Sequence, residues 1–136
     1  MRLAVALLNF VSTKKNSNAM NTIAEKLNDL NQLVISGKLL DAFEKYYDDA
    51  VVMQENESAP LRGKEANRLR EQQFLANIVE FRNASVKGMA VSDSTSFVIW
   101  SFDYTHKEWG IRNYTQVSVQ TWKDDRIVKE QFFYGN

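Results

Sequence analysis

One acidic side chain in this sequence sits among aromatics at strand spacing. In VKEQFFY, residues 128–134, period-two alternation puts Glu130 on the same face as Val128, Phe132 and Tyr134. A carboxylate in such surroundings loses solvation, which raises its pKa and poises it to give or take a proton near neutrality. Glu130 is therefore the candidate catalytic residue. Two structural alternatives stand beside it: an ion pair with a nearby arginine, or a place at the wet mouth of a cavity. The same alternation groups Val98, Trp100, Phe102 and Tyr104 in one strand and Tyr114, Gln116, Ser118 and Gln120 in another. A face that mixes large aromatics with amides, a hydroxyl and a carboxylate suits a ligand cavity better than a dry core.

Gln54 ends a short apolar strand, Ala50 to Gln54, at the point where a pocket enzyme of this layout would carry a carboxylate. An amide can hydrogen-bond there but has no useful proton affinity near pH 7. Glu55, the next residue, is expected to face away. Gln54, Ser118, Gln120 and Tyr104 are the expected hydrogen-bonding neighbours of Glu130, with Tyr46, Phe74, Trp100, Phe102, Phe132 and Tyr134 as aromatic ligand contacts. Aromatics at these spacings also serve as plain core.

Other reactive types are weaker candidates. His106, the single histidine, lies in the turn THKEWG, where a lone imidazole without a partner at ligand spacing is expected to be exposed to solvent. Asp48-Asp49 falls at a helix-to-strand junction and Asp124-Asp125 in a hairpin turn, so both pairs are expected to cap or solvate the chain. Arg62-Gly63-Lys64 has no glycine-rich loop behind it and is a weak phosphate signal. No metal site and no cofactor are expected.

The 136 residues fit one domain large enough to bury a core without staples, and the absence of cysteine rules out disulfides and thiolate metal sites. With 17 basic and 17 acidic residues and no long run of one sign, neither nucleic acid nor a membrane is an expected partner. Residues 1–19 form an N-terminal extension separate from the domain at 20–136. MRLAVALLNF is too short to span a bilayer, Lys14 and Lys15 sit badly for an export signal, and Ser17-Asn18-Ala19-Met20 resembles a cloning scar. The segment is read as an upstream extension or artefact, a weak export signal, or a structural element. The expected compartment is the cytoplasm, or outside it if residues 1–19 act as a signal.

From Met20 the apolar positions Ile23, Leu27, Leu30, Leu33 and Val34 keep helical spacing up to Gly37. A second helix carries Leu39, Leu40, Phe43, Tyr46 and Tyr47, and a third spans Glu65 to Leu75 with Leu69, Phe74 and Leu75 apolar. Strands are expected at 79–89, 96–105, 114–123 and 126–134, separated by turn signals. Helices first and an antiparallel sheet after is an α+β arrangement. Ile99, Val117, Val119 and Phe133 alternate onto the opposite face from Glu130, together with Ile127, Lys129 and Gln131. An apolar second face implies another buried surface, which a homodimer packed sheet on sheet would supply.

GKLLDAFEKYYDDAVV, a loop ending RGKEA, a third helix and strands closing with WKDDRIVKEQFFY resemble the SnoaL-like proteins of the nuclear transport factor 2-like superfamily. The resemblance spans Met20 to Asn136. It implies a cone-shaped roll, with N-terminal helices packed in the concave face of a curved, mostly antiparallel sheet, and a dimer. Isomerases, cyclases, dehydratases and non-catalytic binders share that fold, so it names no reaction. Carried over from the ketosteroid isomerases, the aspartate base falls on Gln54, the oxyanion tyrosine on Leu30 and the protonated aspartate on Ser118. All three roles are lost, and ketosteroid isomerisation is not expected.

Two functions fit. One is a binder of a small apolar or cyclic ligand, with cofactor-free acid-base chemistry if it is an enzyme. The other is a non-catalytic dimerisation or partner-binding module whose cone is filled by its own side chains. Inward-facing Gln54, Gln116, Gln120 and Glu130 favour the first, because a filled core would have to satisfy them all.

Overall fold

The structure, a computed structural model, describes residues 22–135; the readings of residues 1–19 lie outside that range. Helix α1 occupies residues 22–35 and buries Leu27 and Leu30. It ends where Gly37 takes the left-handed conformation (φ 79°). There the Lys38 N–H donates to the Leu33 carbonyl at 2.8 Å and the Gly37 N–H to the Val34 carbonyl at 3.1 Å, satisfying two otherwise orphaned helix-end acceptors. Helix α2 (Leu39–Tyr46) follows and turns Ala42, Phe43 and Tyr46 into the core.

Strand β1 (Tyr47–Glu55) leads to the short β2 (Leu61–Arg62) and then to α3 (Lys64–Ala76). Asn67 fixes the start of α3: its side chain is fully buried and its Nδ2 donates to the Gly63 carbonyl at 2.8 Å and the Leu61 carbonyl at 3.0 Å. Four long strands complete the chain: β3 (Ile78–Ser92), β4 (Thr95–His106), β5 (Gly110–Lys123) and β6 (Arg126–Tyr134). The single sheet runs β2-β1-β6-β5-β4-β3, antiparallel throughout except where β1 lies parallel to β6. The fold is thus α+β, three helices against a curved, mostly antiparallel sheet. The core lies between them, built on Leu27, Phe43, Val51, Val98, Trp122 and Ile127.

Three differences from the sequence reading bear on the site. In β6, Thr121 pairs with Lys129 but Trp122 pairs with Ile127, leaving Val128 as an extra residue. This bulge shifts the alternation by one, so Ile127 and Glu130 both point inward, and Ile127 is core rather than outer face. Second, Tyr47 is not helical. It opens β1 as a buried residue, and inward positions further along that strand are Val51 and Met53. Third, on α3 the expected apolar position Leu69 is exposed, while the buried residues are Lys64 and Asn67.

On the far face of the sheet, Ile99 and Phe133 are 40% and 39% exposed, and Phe97, Val117 and Val119 are half-buried beside them.

Candidate functional site

The concave face of the sheet and the three helices enclose a cavity of about 990 Å³. Inward positions of β4 supply one wall, with Trp100 and Phe102 stacked at 5.2 Å between centroids and Tyr104 one step further. The β5 positions Tyr114, Gln116, Ser118 and Gln120 stand beside them, because β4 and β5 pair without a shift from Thr95 to His106. Strand β6 adds Glu130, Phe132 and Tyr134, and α3 closes the other side with Glu71 and Phe74.

At the floor lies a chain of hydrogen bonds that fixes the chemistry of Glu130. Trp122 Nε1–H, which can only donate, donates a hydrogen bond to Ser96 Oγ at 2.8 Å. Ser96 Oγ in turn donates to Gln120 Oε1 at 2.5 Å. The amide of Gln120 is thereby oriented, and its Nε2 donates to Glu130 Oε2 at 2.8 Å. The Tyr47 hydroxyl donates to the other oxygen, Glu130 Oε1. Ser96, Gln120 and Glu130 are each at most 2% exposed.

Burial pushes the Glu130 carboxyl up to about 7, against the two donors, which favour its charged form and restrain the rise. Among the described residues no arginine pairs with it, and at 2% exposure it lies inside the cavity rather than at a wet mouth. Its partners are neutral, and the same closeness pushes the Tyr47 hydroxyl well up, by burial first and by the Glu130 charge second. Glu71 on α3 is also raised to about 7, chiefly by burial, then by the charge of Glu130, with Arg70 opposing. A carboxyl titrating near 7 can act as acid or base at neutral pH.

Toward the mouth the walls become aromatic and phenolic. Tyr104 and Tyr114 share a hydrogen bond between hydroxyls at 2.9 Å, and burial raises Tyr114 strongly. The Tyr134 hydroxyl donates to Glu55 Oε2 at 3.1 Å and is pushed up to about 12 by burial and by that carboxylate.

The expected site residues Glu130, Phe74, Trp100, Phe102, Tyr104, Ser118, Gln120, Phe132 and Tyr134 all line this cavity. Two do not. Gln54 pairs with Gln131 on the outward side and donates through Nε2 to the Ser58 carbonyl at 2.9 Å. Its neighbours Met53, opposite Glu130, and Glu55, opposite Phe132, are the ones that line the cavity, so the expectation that Glu55 faces away is reversed. Tyr46 faces α1, donating its hydroxyl to Asp29 and meeting Trp122 edge-on at 6.1 Å; it is core.

His106 also departs from expectation. It is the last residue of β4 and keeps the parity of Trp100, Phe102 and Tyr104, so it turns inward and is 3% exposed. Its ring stacks on Trp109 at 3.7 Å and faces Phe74 at 6.0 Å. Its Nδ1 accepts the Glu108 N–H at 3.2 Å, which places the proton of the neutral ring on Nε2. Among the described residues, no three acidic or histidine side chains converge as metal ligands.

Tyr47, expected on the second helix, and His106, expected in solvent, both line the cavity, and sequence reasoning missed Glu71. A usable signal existed for Glu71, three residues before Phe74 and hence on the same helix face.

The sequence profile of the family described as SnoaL-like domain matches residues 19–134. Among solved structures, a protein described as a candidate SnoaL-like polyketide cyclase from Mesorhizobium loti is 31% identical, with a TM-score of 0.75 over 82% of this chain and 98% of that one. An NTF-2 like protein of unknown function from Burkholderia xenovorans is 18% identical, with a TM-score of 0.70 over 85% of this chain and 84% of that one. The protein Bal32a, from a soil-derived mobile gene cassette, shares the fold at 12% identity and a TM-score of 0.74, covering 87% of this chain and 92% of its own. No curated protein matches the chain. With the profile spanning nearly all described residues and a 31% identical relative of the same fold, the chain belongs to the SnoaL-like family.

Proposed function

We propose that the protein binds a small, largely apolar, flat or cyclic molecule in the cavity and exchanges a proton with it through Glu130, without a cofactor. The observation that carries this reading is the buried Glu130 carboxyl, held by Tyr47 and Gln120 at the floor of an aromatic cavity of about 990 Å³. A buried acid held only by neutral donors costs stability, so a structural role explains it poorly. Isomerase, cyclase and dehydratase chemistry all need one such group beside a ring, and the likeness to the candidate polyketide cyclase supports that range. The ketosteroid isomerase arrangement is not part of the proposal, because its base, oxyanion tyrosine and protonated aspartate fall by resemblance on Gln54, Leu30 and Ser118, and Gln54 does not line the cavity.

The competing reading, a partner-binding module with a filled cone, is disfavoured by the open volume. Native mass spectrometry of freshly purified protein, set against the denatured mass, tests the choice. Extra mass that vanishes on denaturation supports ligand binding and gives its class. A bare mass, together with no thermal shift from any flat cyclic compound of a diverse panel, contradicts it.

The second copy belongs to the same proposal. Ile99 and Phe133, with Phe97, Val117 and Val119 between them, form an apolar outer face that a homodimer packed sheet on sheet would cover.

A further inference from the structure

Glu71 faces the cavity from α3, yet among the described residues no hydrogen bond or salt bridge reaches its carboxyl. The ionisable groups acting on it are Glu130 and Glu55, which disfavour its charge, and Arg70, which favours it. Arg70 is turned elsewhere: its Nη2 donates to Asn67 Oδ1 at 3.1 Å. The other cavity arginine, Arg112, lies over the Tyr114 ring at 4.8 Å and reaches the Gly135 carbonyl at the mouth. Glu55, Glu71, Glu108 and Glu130 thus face a cavity whose only arginines, among the described residues, are otherwise engaged.

Such an interior repels anions and leaves one carboxyl in need of a cation. Tyr47, Trp100, Phe102 and Tyr104 line the same space. Electron-rich rings and a half-buried carboxylate without a partner are two groups that recognise an ammonium ion. We propose that the ligand carries a protonated amine on its flat apolar body and that the ammonium forms a salt bridge with Glu71. This rests on the ligand-binding reading above and adds the chemical class. Glu130 keeps its bonds from Tyr47 and Gln120 and remains free to exchange a proton. Because Glu71 titrates at about 7 in the empty cavity, a bound cation drives it to the ionised form and its proton leaves to solvent.

The test compares 1-naphthylmethylamine with its neutral analogue 1-naphthalenemethanol by isothermal titration calorimetry on the full chain, in buffers of different ionisation enthalpy. At pH 7.5 the amine is expected to bind on the order of 10-fold tighter than the alcohol. Its binding should release protons, approaching about one per site below pH 7 and vanishing above about pH 8, while the alcohol releases none. Glu71→Gln should erase the amine's advantage and the release together. If the alcohol binds as tightly as the amine, the amine class is wrong and the cavity reading stands. If neither binds, the amine proposal fails, and the cavity reading falls with it only where the native mass is also bare and the diverse panel gives no thermal shift. Should the variant not fold, amine binding to the wild type without proton release overturns the proposal, and release that persists in a folded Glu71→Gln overturns the assignment to Glu71.

Discussion

Gln120 donates to Glu130 at 2.8 Å with an amide whose orientation is dictated from behind, by Ser96 and ultimately by the indole N–H of Trp122. The buried acid is therefore held by a chain in which every member has one permitted role.

Breaking that chain should move the Glu130 titration. The Gln120 N–H favours the carboxylate, so Gln120→Leu is expected to raise the Glu130 pKa beyond its present value near 7, on the order of one unit. The limb of the pH–activity or pH–binding profile that Glu130 controls should shift to higher pH with it. An unmoved profile would separate Glu130 from the observed step.

Ser96→Ala leaves Trp122 Nε1 and Gln120 Oε1 without partners in a site closed to water. A cost of about 1–3 kcal/mol is expected in urea unfolding. Thr at the same position keeps the hydroxyl and should recover part of it.

Stability should fall as pH rises through neutrality. Glu130 ionises at about 4.5 when unfolded and about 7 when folded, so between those values the native state holds the extra proton. The slope of unfolding free energy is then negative, and the destabilisation is fully present above about pH 7 and absent below about pH 4.5. For Glu130 alone it amounts to about 3 kcal/mol. Thermal melts of Glu130→Gln across pH 5–8 should show a flatter dependence than the wild type, the pH limits here being roughly those of the two titrations; an identical slope would contradict the assignment.

The apolar outer face makes a separate claim. Ile99→Glu with Phe133→Glu places charges on positions 40% and 39% exposed, so monomer folding should survive while self-association is lost. Sedimentation equilibrium should read two copies for the wild type and one for the variant. A wild type that is monomeric at all concentrations would leave that face uncovered.

Much of the site was legible because β4 and β5 alternate without interruption. Trp100, Phe102, Tyr104, Ser118 and Gln120 were placed on one face by parity alone. What failed did so at irregularities that parity cannot see. The bulge at Val128 moved Ile127 inward, and a helix ending one residue early exchanged Tyr46 for Tyr47 in the cavity. Gln54 and Glu55 were reversed because β1 takes its facing from its parallel pairing with β6, where Met53 meets Glu130. Glu71 escapes sequence reading because the inward face of α3 is polar, with Lys64 and Asn67 buried, and an apolar periodicity cannot reveal such a face. His106 reads as a turn residue in sequence because the turn begins one residue later, at Lys107.

The proposed chemistry depends above all on Glu130 being an ionisable, solvent-excluded acid poised near neutrality. Carbon-13 NMR titration of the glutamate side-chain carboxyls, assigned by Glu130→Gln and Glu71→Gln, measures this directly. Two carboxyls titrating near 7, each missing from its own variant, are the predicted result. If every glutamate titrates in the ordinary range near 4.3, the site has no group able to trade protons at neutral pH and the proposed chemistry is contradicted.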